Sequence, residues 1–84
     1  MNHTKTEILK NLCYTELVYG RINKKLSINL SNQEIETLLF KTINATELRN
    51  FVKIGKNFYV SNLEKMIQIT INSYTYRVIT VDKI

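Results

Sequence analysis

The chain predicts an α+β domain in which two N-terminal helices pack on one face of a four-stranded antiparallel β-meander. Three observations carry that prediction. Met66 to Asp82 alternates apolar and polar residues, with Ile67, Ile69 and Ile71 separated by Gln68 and Thr70, the period-2 mark of a strand with one buried and one wet face. The first half instead places apolar residues at helical spacing. Asn72-Ser73 and Gly55-Lys56-Asn57 supply turn chemistry between β-rich runs.

The first helix is expected over about residues 5–26. Thr4-Lys5-Thr6-Glu7 matches a capping box, in which Thr4 accepts from the Glu7 amide and Glu7 reaches back. At about 100° per residue, Ile8, Leu12, Tyr19, Ile22 and Leu26 form one narrow core-facing stripe. Gly20 is unfavourable inside a helix by about 1 kcal/mol, so it marks a kink, an early helix end or a close packing contact. The second helix is expected over about 32–44. Ser31-Asn32-Gln33-Glu34 is another capping box, and Leu30 with Ile35 makes a hydrophobic staple around it. Ile35, Leu38, Leu39 and Ile43 form its buried stripe, Phe40 lies off it, and 46–50 has room for one more helical turn.

Strands are expected at about 51–54, 58–61, 66–72 and 74–81. With Asn72-Ser73 as a two-residue loop, Ile71 faces Tyr74, Ile69 faces Tyr76 and Ile67 faces Val78, while Gln68 and Thr70 sit opposite Arg77 and Thr75. This register sends Ile79 and Val81 outward, unless the strand is bulged near Thr80 or the second face is covered.

At 84 residues the chain is one domain, near the lower size limit for a single unstapled core. A hydrophobic fraction of 44% with two Gly and no Pro points to an ordered fold. Cys13 is the only cysteine, which excludes an internal disulfide, and its place in a helical apolar pattern predicts a small buried side chain. No apolar run approaches the roughly 18 residues needed to span a bilayer, and the N-terminus has no signal-peptide core, so no membrane association and a cytoplasmic location are expected. The net charge of +5 is spread over both halves, and heavy use of Lys, Asn and Ile follows what AT-rich codons favour. Such a charge permits an acidic protein surface or nucleic acid as partner without demanding either.

Catalytic chemistry has little support. His3 is the only histidine, Glu34 and Glu36 stand on different sides of a helix, and His3 with Cys13 is too small a set for zinc. No catalytic residue, metal or cofactor is therefore expected. A histidine-free ribonuclease built on Lys53, Lys56, Tyr59 and Arg77 is the remaining enzymatic reading. The best candidate surface is the outer side of the first helix, where Lys10, Tyr14, Leu17, Arg21, Lys24 and Lys25 fall within about 100° of one another. A basic strip containing an aromatic suits phosphate contacts with stacking, although a solvated charged face has the same pattern. The sheet face carrying Tyr59, Gln68, Thr70, Thr75 and Arg77 is a second candidate.

Three runs bear a likeness to known proteins: Asn11-Leu12-Cys13-Tyr14-Thr15-Glu16-Leu17-Val18-Tyr19 with Arg21-Ile22-Asn23-Lys24-Lys25-Leu26, then Asn29-Leu30-Ser31-Asn32, and finally Thr70 through Asp82 with its Asn-Ser-Tyr-Thr-Tyr-Arg-Val-Ile-Thr core. Together they resemble a family of small bacterial proteins known only as a domain of unknown function. The resemblance implies a bacterial or mobile-element origin and brings no activity, cofactor or catalytic residue with it. In element order alone, two helices and a meander are similar to small messenger-RNA-cleaving toxins, without a shared motif. The leading expectation is a non-enzymatic binding protein using Lys10, Tyr14, Leu17, Arg21, Lys24, Lys25 and Arg77, such as a mobile-element inhibitor of a host nuclease or a homodimer through the C-terminal strand. The alternatives are direct RNA or DNA binding through the same strip, and a toxin-like ribonuclease.

Overall fold

The structure, a computed structural model, describes residues 2–84, with side chains from residue 3. It is an α+β fold with three helices and a four-stranded antiparallel sheet. Helices α1 (Asn2–Asn11), α2 (Glu16–Leu26) and α3 (Asn32–Ala45) are followed by a 3-10 turn (Leu48–Asn50) and strands β1 (Phe51–Ile54), β2 (Asn57–Asn62), β3 (Ile67–Asn72) and β4 (Val78–Lys83). The strands lie in the order β1-β2-β3-β4.

The single helix expected over 5–26 is two helices. The backbone N–H of Cys13 donates to the Tyr76 carbonyl at 3.0 Å, and the Cys13 carbonyl accepts from the Val78 N–H at 2.9 Å. Cys13 thereby pairs in parallel with Arg77, beside the start of β4. A helix would need those same two groups for its own ladder, so it stops at Asn11 and restarts after Thr15, whose extended backbone caps α2. Cys13 is consequently exposed rather than buried, and its Sγ donates to the Thr75 carbonyl at 3.3 Å. Helix α1 begins at Asn2, so Thr4 lies inside it and not at its cap. Gly20 marks neither a helix end nor a close contact: α2 runs through it, and an added Cβ would meet nothing within 4 Å.

Helix α2 ends at Ser27, which takes a left-handed conformation (φ 56°) while the Ile28 N–H reaches the Asn23 carbonyl at 3.0 Å. This is the six-to-one bond of a Schellman stop, formed here without the usual glycine. The Asn23 side chain then brackets the connection, donating to the Leu30 carbonyl and accepting from the Leu30 N–H, both at 3.0 Å. The capping box of α3 forms as expected: Ser31 Oγ accepts from the Glu34 N–H at 3.2 Å and Glu34 Oε1 from the Ser31 N–H at 2.8 Å. Hydrogen bonding from the Ser31 N–H, and then from its side chain, holds the exposed Glu34 carboxyl below its ordinary pKa.

One apolar cluster joins Ile8 of α1, Val18 and Ile22 of α2, and Ile35, Leu39 and Ile43 of α3 to Val60, Ile69, Ile71, Val78 and Val81 of the sheet. Burial of Ile67, Ile69 and Ile71 agrees with the period-2 reading. Phe51, Val60, Ile69 and Val81 are consecutive register partners across all four strands, which puts Val81 inside rather than outside. The reason is the last connection. Asn72 Oδ1 accepts from the Tyr74 and Thr75 N–H groups, Asn72 N–H donates to the Arg77 carbonyl, and Tyr76 is left-handed at φ 58°. The chain therefore spends residues 73–77 turning, not two. Ile71 pairs with Val78, Thr70 with Thr80, Ile69 with Val81 and Ile67 with Lys83, with a register shift between Thr70 and Ile71. Ile79 is the extra residue, as a bulge beside Thr80 requires. The first hairpin turns on Gly55 and Lys56 alone, with Gly55 at φ 61°, where a II′ turn calls for glycine.

Under the sheet, Asn62 closes a buried polar relay. Its Nδ2 donates to Thr46 Oγ1 at 3.0 Å, Thr46 Oγ1 donates to the Thr42 carbonyl at 2.7 Å, and Asn62 Oδ1 accepts from the Lys65 N–H at 2.8 Å.

Candidate functional site

The break at residues 12–15 redistributes the expected strip. Lys10 sits in the last turn of α1, on a different helix from the other lysines. Tyr14 lies in the link, its ring stacked on Tyr19 with centroids 5.4 Å apart and planes 14° from parallel. The Tyr14 Oη is buried and without a hydrogen-bond partner, whereas Tyr19 Oη donates to Glu36 Oε2 at 2.6 Å. Burial above all, with the Glu36 charge nearby, raises the Tyr14 pKa far above that of an ordinary phenol. The bond to Glu36 pushes Tyr19 up to about 12.

Leu17, Arg21, Lys24 and Lys25 remain together on α2, which packs along β4. Leu17 projects into solvent with 83% of its surface exposed. Beside it, Thr15, Leu17, Val18, Arg21, Arg77, Val78 and Ile79 line a depression of about 210 Å³. The bulged Ile79 belongs to this depression, and Arg21 Nη1 donates weakly to its carbonyl at 3.4 Å. Residues Gly20, Arg21, Lys24 and Lys25 border a further notch, where Gly20 contributes no side chain. Not all the cations are equal. Lys25 Nζ is held by Asp82 Oδ1 at 2.7 Å, a half-exposed pair worth under about 1 kcal/mol. Arg77 meets α2 because the Cys13 bridge ties it there, so one cation comes from 77 − 21 = 56 positions beyond Arg21 along the chain.

The second candidate face is only partly assembled. Tyr59, Thr70 and Thr80 form one row and Ser61, Gln68 and Asp82 another, but Thr75 and Arg77 lie outside the strands and not opposite Thr70 and Gln68. Gln68 Nε2 is occupied by Ser61 Oγ at 3.1 Å, and Thr70 is buried. The ribonuclease set is dispersed as well. Lys53 is on β1 and Arg77 precedes β4, three strand spacings or about 14 Å across the sheet. Among the described residues, no three His, Cys, Asp or Glu side chains gather as a metal set, and no helix is long and apolar enough to cross a membrane.

Sequence reasoning missed Ile79 as a wall of the α2 depression, and Val18 and Thr42 as buried residues. The Thr15-Glu16 pair, a cap residue followed by an acidic first-turn residue, was the signal for the second helix start.

The family described as a protein of unknown function (DUF3781) matches residues 6–82. No curated protein and no solved structure matches the chain.

Proposed function

The chain belongs to the DUF3781 family, a family of proteins of unknown function, and from its own surface we propose that it is a non-enzymatic binding protein whose partner is an acidic protein surface. In this reading the helices cover one side of the meander, and α2 with the start of β4 presents the interface. The observation that carries it is Leu17, an almost fully exposed leucine that shares a depression with Arg21, Arg77 and the apolar wall of Ile79, with Lys24 further along the same helix. An apolar anchor inside a cationic rim is how an interface divides its labour: the anchor gives buried area, the rim gives attraction and register. Lys25 contributes less, because Asp82 already neutralises it. Tyr14 supports the interface from behind through its stack on Tyr19.

A mobile-element inhibitor of a host nuclease is one protein of this description. Its positive charge has the wrong sign for filling a nuclease's phosphate groove, which is itself basic, so such an inhibitor would dock elsewhere on the enzyme. Direct RNA or DNA binding is the second reading, favoured by the same Arg21, Lys24 and Arg77. It lacks an exposed aromatic in the strip, since the Tyr14 ring is occupied.

The test is capture from lysate of the source cells with tagged wild type, Leu17→Asp and Arg21→Glu, each with and without nuclease. The reading expects a partner that survives nuclease and is lost with Leu17→Asp, while thermal stability stays unchanged. Recovery that vanishes with nuclease, and an affinity that falls steeply with salt, would replace it with nucleic-acid binding.

A further inference from the structure

At the opposite end of α2 from Leu17, the core reaches the surface. Leu26, Ile28, Leu38, Met66, Ile67 and Ile84 line a groove of about 370 Å³, whose remaining walls are Lys65 and Lys83. Met66 and Ile84 are half exposed there, at 53% and 47%. Their position is fixed by the backbone: Met66 turns at φ 56° and its carbonyl accepts the Ile84 N–H at 3.0 Å. Two Lys-apolar pairs, Lys65-Met66 and Lys83-Ile84, are thus set side by side at the ends of β3 and β4, where Ile67 is the register partner of Lys83.

We propose that this groove binds a linear aliphatic carboxylate of medium chain length, with the chain laid along Leu26, Leu38, Met66 and Ile84 and the carboxylate held by Lys65 and Lys83. The volume is within the range of small-ligand sites, which are mostly apolar with a few placed polar groups. Every uncharged lining side chain is aliphatic or a thioether, so the groove offers no ring to stack on. Beyond the two ammonium groups it presents no polar side chain for a peptide's amides, which must otherwise stay solvated. A ligand without a hydrogen-bonding backbone is the one that loses nothing by entering. The charge selects an anion. Neither lysine takes part in an ion pair of the described residues: Asp82, next to Lys83, is held by Lys25, and Glu64, next to Lys65, lines a separate depression. The thioether of Met66 adapts to chains of different length.

The experiment is a titration of the isotope-labelled full chain with octanoate, octanol and octylammonium, below micelle formation, followed by amide and methyl shifts. Octanoate is expected to shift Leu26, Ile28, Leu38, Met66, Ile67 and Ile84 selectively. Octanol should bind there roughly fivefold more weakly, and octylammonium more weakly still. In the Lys65→Gln/Lys83→Gln variant, whose substitutions are exposed and leave the remaining spectrum in place, octanoate should fall to the octanol level. Equal binding of the three probes, shifts scattered over other surfaces, or a wild-type preference unaffected by the double substitution would each overturn the assignment. An acidic, leucine-containing peptide that binds the groove when octanoate does not would overturn it too, and would make the groove a peptide-docking surface.

Discussion

Replacing Tyr14 with Phe should stabilise the protein. The Oη is buried with no partner, so the folded state gives up its hydration and receives no hydrogen bond in return. Such a loss costs about 1–3 kcal/mol. The ring is only part-buried, and Phe keeps its stack on Tyr19 at 5.4 Å, so the lower end applies and a gain of about 1 kcal/mol is expected. With a urea m-value of about 1 kcal/mol/M for so small a domain, the midpoint should rise by about 1 M. The melting temperature should rise by about 4–8 °C. A second arm uses pH. The Tyr14 pKa in the folded state lies above its ordinary value of 10.0, so the unfolded chain releases that proton first as pH rises. Stability is therefore intact below pH 10 and is lost as pH climbs toward the raised folded value, with Tyr19, at about 12, contributing to the same decline. Tyr14→Phe should flatten that alkaline limb without abolishing it. A destabilised Tyr14→Phe, or an alkaline limb identical to wild type, would show that the hydroxyl is satisfied and refute the reasoning.

Two further substitutions probe the frame. Ser27→Gly removes the cost of a left-handed non-glycine residue at the α2 stop and should stabilise by about 1 kcal/mol, read by urea denaturation; a loss would mean that the Schellman geometry does not set the helix end. Asn62→Ala severs the bonds to Thr46 and to the Lys65 N–H and should destabilise by about 2 kcal/mol, with faster amide exchange at Lys65; unchanged exchange there would refute the relay.

What was legible in the chain was what short stretches decide alone. Ser31 and Glu34 cap α3 through bonds three residues apart, and the staple pair Leu30 and Ile35 needs no distant partner. Ile67, Ile69 and Ile71 reveal their face by alternation. The helix break was marked only by Thr15-Glu16, and Leu12, Cys13 and Tyr14 mask it by continuing a helical pattern, while the competing bonds come from Tyr76 and Val78. The β3–β4 register failed for a related reason: Asn72 folds its side chain over the turn and makes the loop longer than its Asn-Ser sequence suggests. Of the candidate strip, Leu17, Arg21, Lys24 and Lys25 were readable from α2 alone. Lys10 was misplaced and Tyr14 was given to solvent for the same cause, a helix assumed continuous.

The bridge between Cys13 and Arg77 also sets a timetable for synthesis. The two residues are 77 − 13 = 64 positions apart, so the bend that separates α1 from α2 has no partner until those further positions have been made. At about 5–20 residues per second, that is a wait of roughly 3 to 13 s. During it, nothing denies residues 5–26 the continuous helix that their own pattern favours, and Val18 and Ile22 have no β4 to cover them. Strand β4 does not simply add to a finished domain; it brings the bonds to Cys13 that keep α1 and α2 apart.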